Sequence, residues 1–298
     1  MSKGRALVTG RYGFTGHYVA EALATAGWDV WGACSHPTED MGPLDRVADL
    51  TDAVSVSQLV DDVRPDAVVH LAGIAFVGHG SVDDFYHVNL LGTRNLLEAL
   101  SRGGHGQRGV VLASSANVYG NARQTPITED TPASPANDYG VSKLAMEYAS
   151  RLFADDLPIV ITRPFNYTGV GQDPKFLVPK IVSHFRSRAA HIELGNLEVQ
   201  RDLSDVRDVA RVYSALLESR DAHGKILNVC SGQTLSLKDI VDMCCKITGH
   251  EIELVVNPAF VRYDEVKILK GDAARLEAII GPLKLRPFEQ TLEWMLSG

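Results

Sequence analysis

Three glycines spaced three apart, Gly10, Gly13 and Gly16, follow directly on the apolar run Arg5–Thr9. The segment after them, Phe14 to Ala26, has the spacing of an amphipathic helix, so the chain opens as strand, tight turn and helix. Such an opening gathers the unpaired N–H groups of a helix start at one point, a natural place for a phosphate. The alternation continues: Asp29–Cys34, Asp66–Leu71, Gly109–Ser115 and Leu157–Thr162 read as further strands. Helical patterns lie between them, over Thr51–Val63 (Thr51 as cap, Pro65 as stop), Val82–Leu100 and the stretch after Tyr139. Strands that are apolar on both faces and alternate with helices pack as a parallel sheet covered on both sides. The order predicts an α/β chain with a doubly wound Rossmann-type parallel sheet over residues 1–165. A smaller C-terminal α/β lobe is expected over 166–298, where the texture becomes less regular, with 204–230 a candidate to return to the first unit.

A chain of 298 residues with 45% hydrophobic and 22% charged residues can bury a large core. Its formal net charge of −8 gives a field that disfavours nucleic acid and anionic membranes, so neither is expected as a partner. No apolar run reaches the roughly eighteen residues of a membrane span. The N-terminus carries no signal-peptide pattern, and a cytoplasmic location is expected. Cys34, Cys230, Cys244 and Cys245 lack metal-ligand spacing and read as buried apolar side chains, so no metal is expected. His36, His79 and His87 show no ligand spacing either, and His70, ending an apolar strand, reads as a satisfied core group. The triplet Asn166-Tyr167-Thr168 fits a glycosylation pattern and is read as chance without a secretory signal. Glu129-Asp130 reads as a solvated loop, and Trp28, Trp31 and Trp294 as packing.

The loop Gly10, Arg11, Tyr12, Gly13, Phe14 and Gly16 is placed to line a dinucleotide pyrophosphate. In NAD sites an acid at the end of the second strand bonds the adenosine ribose. Here that stretch reads Gly32-Ala33-Cys34-Ser35-His36, and the first acid is Glu39. With Ser35 at that position and Arg11 able to face a 2′-phosphate, NADP(H) is favoured and NAD(H) is the alternative. The competing reading of Arg11 is a solvated side chain. Tyr139 and Lys143 stand four apart in a helical pattern, on one face and one turn apart. A phenol ordinarily titrates near about 10, and an adjacent ammonium with an oxidised nicotinamide favours its ionised form. Ser115 follows a strand upstream and can bond a reacting oxygen. In company with the glycine loop, Ser115, Tyr139 and Lys143 are expected to be catalytic.

With that loop, Asp49-Leu50, His70-Leu71-Ala72-Gly73, Asn89–Thr93, Ser115, Tyr139 and Lys143, the chain resembles the extended short-chain dehydrogenase/reductases, the NAD-dependent epimerase/dehydratase family, along nearly its whole length. The resemblance implies Asp49 and Leu50 on the adenine side, and Leu71, Ala72 and Gly73 against the cofactor. Tyr139 and Lys143 would reach the cofactor too. Asn89 would hold a water chain or brace the backbone. The same resemblance implies a homodimer through the helices near Val82–Leu100 and Tyr139–Phe153, and a second lobe that takes a nucleotide-diphosphate sugar. Arg163–Asn166, Gly195–Glu198, Arg201–Asp208, Asn228–Gly232 and Asn257–Val266 resemble segments of members that reduce the C4 ketone of GDP-4-keto-6-deoxy-D-mannose, giving GDP-D-rhamnose. A GDP-sugar substrate is implied, with Ser115, Asn166 and Asn196 on the sugar side, Arg201 and Arg262 on the diphosphate, and Glu265 on the ribose. The competing reading of Arg201 is an ion pair with Asp202. The chain departs from the usual pattern at Tyr167–Gly171, Tyr263-Asp264 and Lys267, which bears on the base and the sugar.

Other chemistries share this scaffold. A 4,6-dehydratase usually has an acid just after the catalytic hydroxyl, where this chain has Ala116 and Asn117. A 4-epimerase typically has the strand-two acid. Net reduction is therefore expected, with epimerase, dehydratase and a non-catalytic nucleotide sensor as alternatives. A pure sensor has no use for an activated phenol.

Overall fold

A computed structural model describes residues 2–76, 81–260 and 267–298; His79, Arg262, Tyr263, Asp264 and Glu265 lie outside the described residues. The first half runs β1 (Arg5–Thr9), α1 (Phe14–Thr25), β2 (Asp29–Cys34), β3 (Asp45–Val47), α2 (Ala53–Val63) and β4 (Ala67–His70). A short turn α3 (Val82–Asp84) then leads through a π-helical stretch, Phe85–Gly92, into α4 (Thr93–Gly103), β5 (Gly109–Ala113), α5 (Asp138–Ser150) and β6 (Ile159–Pro164). The second half holds β7 (Asn166–Thr168), α6 (Leu177–Arg186), β8 (His191–Leu194), β9 (Gln200–Asp205), α7 (Val206–Glu218), β10 (Ile226–Val229), β11 (Thr234–Ser236), α8 (Leu237–Thr248), β12 (Glu253–Val256), β13 (Ile268–Leu269), α9 (Ala274–Ile280) and α10 (Phe288–Ser297).

Seven strands form one parallel sheet in the order β10-β6-β5-β4-β1-β2-β3. Leu7 pairs with Val68 and with Trp31 in register, so β1 lies where the strand order reverses. In open α/β sheets the crevice beyond the strand ends at that reversal is where ligands bind. Both faces are apolar, as the runs predict. Val19 and Leu23 of α1, Leu216 of α7 and Leu276 of α9 cover one face. Val60 of α2, Leu97 of α4 and Met146 of α5 cover the other. Each such side chain, fully buried, contributes about 1.5–3 kcal/mol. A separate core gathers Phe185, Leu194, Ile240 and Leu292 around β9, which pairs with β7, β11 and β13.

Several expectations need correction. The cap of α2 is Asp52, whose carboxylate accepts from Val54 N at 2.9 Å, because the Thr51 hydroxyl is donated to Asp49 at 2.7 Å. The strand β3 was not expected: Asp45-Arg46-Val47 is a sheet edge with no apolar run to reveal it. Cys34 and Cys245 are half-buried rather than buried. Glu129 is not solvated; its side chain, 4% exposed, pairs with Arg275 at 3.5 Å and accepts from Asn228 N at 2.8 Å. His70 sits, as read, between Thr9 Oγ1 (2.7 Å) and Thr93 Oγ1 (2.8 Å), where burial drops its pKa to about 3 and keeps it neutral.

Candidate active site

The glycine loop forms a cradle. Gly10 has φ +69°, a conformation open to glycine, and a methyl on Gly16 would collide with the Gly10 carbonyl. Gly13 caps α1 without a side-chain bond, so the first-turn N–H groups face outward, available to an anion. Tyr12 is pinned by its hydroxyl, which donates to Asp45 Oδ2 at 2.6 Å and to the Asp40 carbonyl at 2.9 Å. The Arg11 guanidinium lies over the Tyr12 ring, 5.5 Å from its centroid. A methyl on Gly32 would strike both the Asp45 carboxylate and the Arg11 stem. An acid absent from β2 itself thus lies beside it on β3, a neighbour the sequence reading missed because no local pattern ties Asp45 to Gly32. Ser35 is exposed and shares a hydrogen bond with His36 at 2.9 Å. Asp49 turns to Thr51, whose bonds lower its pKa, while Leu50 is buried and its carbonyl accepts from Asn95 at 2.9 Å. Leu71, Ala72 and Gly73 follow β4 at the crevice, where a methyl on Gly73 would stand 2.8 Å from Asn89 Oδ1 and 3.3 Å from Lys143 Nζ.

Asn89 sits in the π-helical stretch, a common device for re-aiming a side chain. Its amide accepts from Ile74 N at 2.8 Å and donates to Ile74 O at 3.2 Å and Ser142 Oγ at 3.0 Å. These bonds brace the backbone at Ile74, one of the two roles expected for it.

The helix α5 is capped by Asn137, which accepts from Gly140 N at 2.8 Å. Its buried face carries Tyr139, Ser142, Lys143, Met146 and Glu147 at helical spacing. A methyl on Gly140 would meet Asn117 O at 2.7 Å, so the glycine lets the helix lie directly against the turn that follows Ser115. This close approach brings the phenol and the serine together. Ser115 Oγ accepts from Asn117 N and Asn117 Nδ2, both at 3.1 Å, which occupies its lone pairs and leaves its hydroxyl proton to donate. Asn117 is therefore a second residue that sequence reasoning undervalued. Tyr139, 7% exposed, is pushed up to about 12 by burial, against a lowering hydrogen bond to Ser115. The expected depression by Lys143 is not seen: Lys143 Nζ donates to Ala113 O at 2.8 Å. Burial lowers Lys143 to about 8, with Glu147 opposing.

The second-lobe candidates are more dispersed. Asn166 is exposed at the start of β7, and its amide donates to Asp202 O at 3.4 Å. Asn196 accepts from Glu198 N at 3.1 Å. Arg201 lies on β9 and donates to Gln200 O at 3.0 Å. The competing Arg201–Asp202 pair is not what Asp202 is used for: its carboxylate accepts from Ser231 N (2.8 Å), Ser231 Oγ (2.7 Å), Gly232 N (3.0 Å) and Gly271 N (3.2 Å).

A dinucleotide cradle at the sheet reversal, with a serine, a phenol and an ammonium at its far end, defines a nicotinamide-dependent enzyme scaffold. A model of the NAD dependent epimerase/dehydratase family matches residues 6–230, and the chain belongs to that family. It is 34% identical over 276 residues to a GDP-6-deoxy-D-talose 4-dehydrogenase of Aggregatibacter actinomycetemcomitans, covering 92% of this chain and 90% of that one. It is 33% identical over 305 residues to a GDP-6-deoxy-D-mannose reductase of Pseudomonas aeruginosa, covering 98% and 96%. The structure of RMD from Pseudomonas aeruginosa complexed with NADPH superimposes with a TM-score of 0.86 at 32% identity, covering 99% of this chain and 98% of that one.

Proposed function

We propose that this protein reduces the C4 ketone of a GDP-4-keto-6-deoxyhexose, with GDP-4-keto-6-deoxy-D-mannose as substrate and GDP-D-rhamnose as product. The observation that carries the proposal is the convergence of Ser115, Tyr139 and Lys143 beside a glycine cradle. The two curated relatives support the substrate: 6-deoxytalose and 6-deoxymannose differ only at C4, so both correspond to one 4-keto sugar.

The nicotinamide, when bound, supplies the hydride. The residues do the rest. Tyr139, protonated across the neutral range, starts in the state that a proton donor to the C4 oxygen needs. Ser115, with its lone pairs occupied by Asn117, offers its own proton to that oxygen as charge develops. Lys143, whose ammonium lies next to Gly73, would bond the cofactor ribose. Arg201 and Arg262 would grip the diphosphate, with Asn166 and Asn196 on the sugar and Glu265 on the ribose.

Incubation with NADPH and freshly made GDP-4-keto-6-deoxymannose, followed by NMR of the product, tests this reading. GDP-rhamnose, with stoichiometric NADPH oxidation, supports it. No oxidation of NADPH sinks it. A 4-epimerase is the second reading, favoured by Asp45, which supplies an acid near β2; it would interconvert nucleotide sugars without net NADPH consumption. The residues after Ser115, Ala116 and Asn117, cannot ionise and leave a dehydratase without its acid.

For the cofactor we favour NADPH, held at the 2′-phosphate by Arg11. Arg11→Ala is expected to lower the NADPH-to-NADH preference in kcat/KM by about tenfold, the size of one charge-assisted hydrogen bond. An unchanged ratio would return Arg11 to solvent. A homodimer also fits this reading, because Leu91, Val141, Tyr148 and Leu152 are exposed on or beside the two helices expected to pair. Light scattering should give about twice 32.4 kDa; a mass of one chain would remove the interface.

A further inference from the structure

Behind the catalytic face lies a charged group that the reduction itself does not use. Glu147 follows Lys143 by one turn of α5 and is 1% exposed. One of its oxygens accepts from Ser114 Oγ at 2.5 Å and Arg163 Nε at 2.9 Å, and the other accepts from Arg163 at 2.6 Å. Burial opposes the Arg163 charge, but the two bonds to Glu147 outweigh it and raise its pKa. The guanidinium also lies over the Tyr119 ring at 4.8 Å. Two buried charges brought into a core in this way cost several kcal/mol in desolvation unless their geometry is very good. An apolar pair would hold the helix to the sheet as well.

What the pair does that apolar residues cannot is set by its neighbours. Lys143 bonds Ala113 O and Glu147 bonds Ser114 Oγ, so successive turns of α5 grip the two residues immediately before Ser115. Arg163 stands at the end of β6, beside Thr162, whose carbonyl accepts from Ser114 N at 2.8 Å. We propose that Glu147 is a positioning residue: clamped by Arg163, it fixes the strand end that carries Ser115 and supplies the negative charge that keeps the Lys143 side chain an ammonium. Among the described residues, the groups facing Lys143 are few. Tyr139 and Glu147 are on its own helix, Asn89 and Gly73 lie across the crevice, the Ala113 carbonyl is on β5, and His70 is neutral. Glu147 is the one anion among them, and it opposes the loss of the Lys143 proton caused by burial.

The proposal rests on the reading that Lys143 meets the cofactor, so the test uses NADPH alone as the probe and needs no sugar. NADPH affinity is followed by fluorescence from pH 6 to 10 in the wild type, E147Q, E147D, K143M and the charge-free double variant E147Q/R163M. In the wild type the affinity should fall with a midpoint at about pH 8, as Lys143 loses its proton. In E147Q the midpoint should move down by about one unit, the effect of removing one nearby opposite charge, and E147D should bring it back toward the wild type; in the double variant, which also removes the more distant Arg163 cation, it should move down by less. The double variant leaves no buried charge unpaired, so it can be read even if E147Q does not fold. A folded double variant with the wild-type midpoint overturns the proposal alone. A midpoint that survives in K143M overturns it together with the reading of Lys143.

Discussion

Tyr139→Phe should lower turnover by about 10²- to 10⁴-fold, the range a positioned acid contributes, while NADPH affinity changes little. The ring stays where it is: it packs 6.1 Å from Phe85 and is 7% exposed, and Phe fills the same space. Only the hydroxyl is lost, and with it the proton for the C4 oxygen. Ser115 cannot replace it, since a serine hydroxyl can donate a hydrogen bond but is a poor proton source at neutral pH. The pH profile adds a second check. The Tyr139 phenol is pushed up to about 12 and stays protonated throughout the neutral range, whereas Lys143 is lowered to about 8. A basic limb in wild-type reduction therefore belongs to the lysine, and it should persist in the residual activity of Tyr139→Phe. The measurements are kcat and KM in the sugar assay and a fluorescence titration with NADPH. Turnover within a factor of ten of the wild type, below the usual contribution of a general acid, would mean that another group supplies the proton.

Arg163→Met should be the most destabilising single change at the site. It leaves the Glu147 carboxylate, 1% exposed, with Ser114 as its remaining side-chain partner. Breaking a buried ion pair from one side costs about 3–5 kcal/mol. At about 2–4 °C per kcal/mol for chains of 150–250 residues, that is a fall in Tm of about 6–20 °C, toward the lower end for a chain of 298 residues. The cost should shrink when Glu147→Gln is added, because the surviving charge goes as well. Scanning calorimetry of the two variants checks both statements. A Tm for Arg163→Met within about 2 °C of the wild type would show that water reaches the carboxylate and the pair is not sealed.

The parts of the fold that were legible in the sequence are those dictated by local pattern. β1 and β2 end where expected because Gly10 and Ser35 close apolar runs, and the Tyr139–Lys143 spacing places both side chains on one buried face. The features that escaped are tertiary. Thr51 and Asp52 are both good caps, and the choice between them was made by Asp49, which takes the threonine hydroxyl. Glu129 looks like any loop acid until Asn228 and Arg275 close over it. Lys143 was expected to depress the phenol, but burial dominates once the helix is packed. Glu147 was within reach: it lies four residues after Lys143 and eight after Tyr139, on the same stripe, and an acid in that stripe signals a buried partner. Nothing in the sequence alone joins Asp45 to Gly32 across a three-residue strand.

That last arrangement bears on how such a protein can change over evolutionary time. β3 is an outermost strand, paired on one side only, and Val47 at its end is 47% exposed. Little of the core depends on it. An exchange at Asp45 would alter the charge at that edge and release the Tyr12 hydroxyl, while the catalytic helix stayed as it is. The charge beside the glycine loop is thereby placed on the most replaceable piece of the sheet, so a lineage could change it while the Ser115 turn and α5 stayed intact.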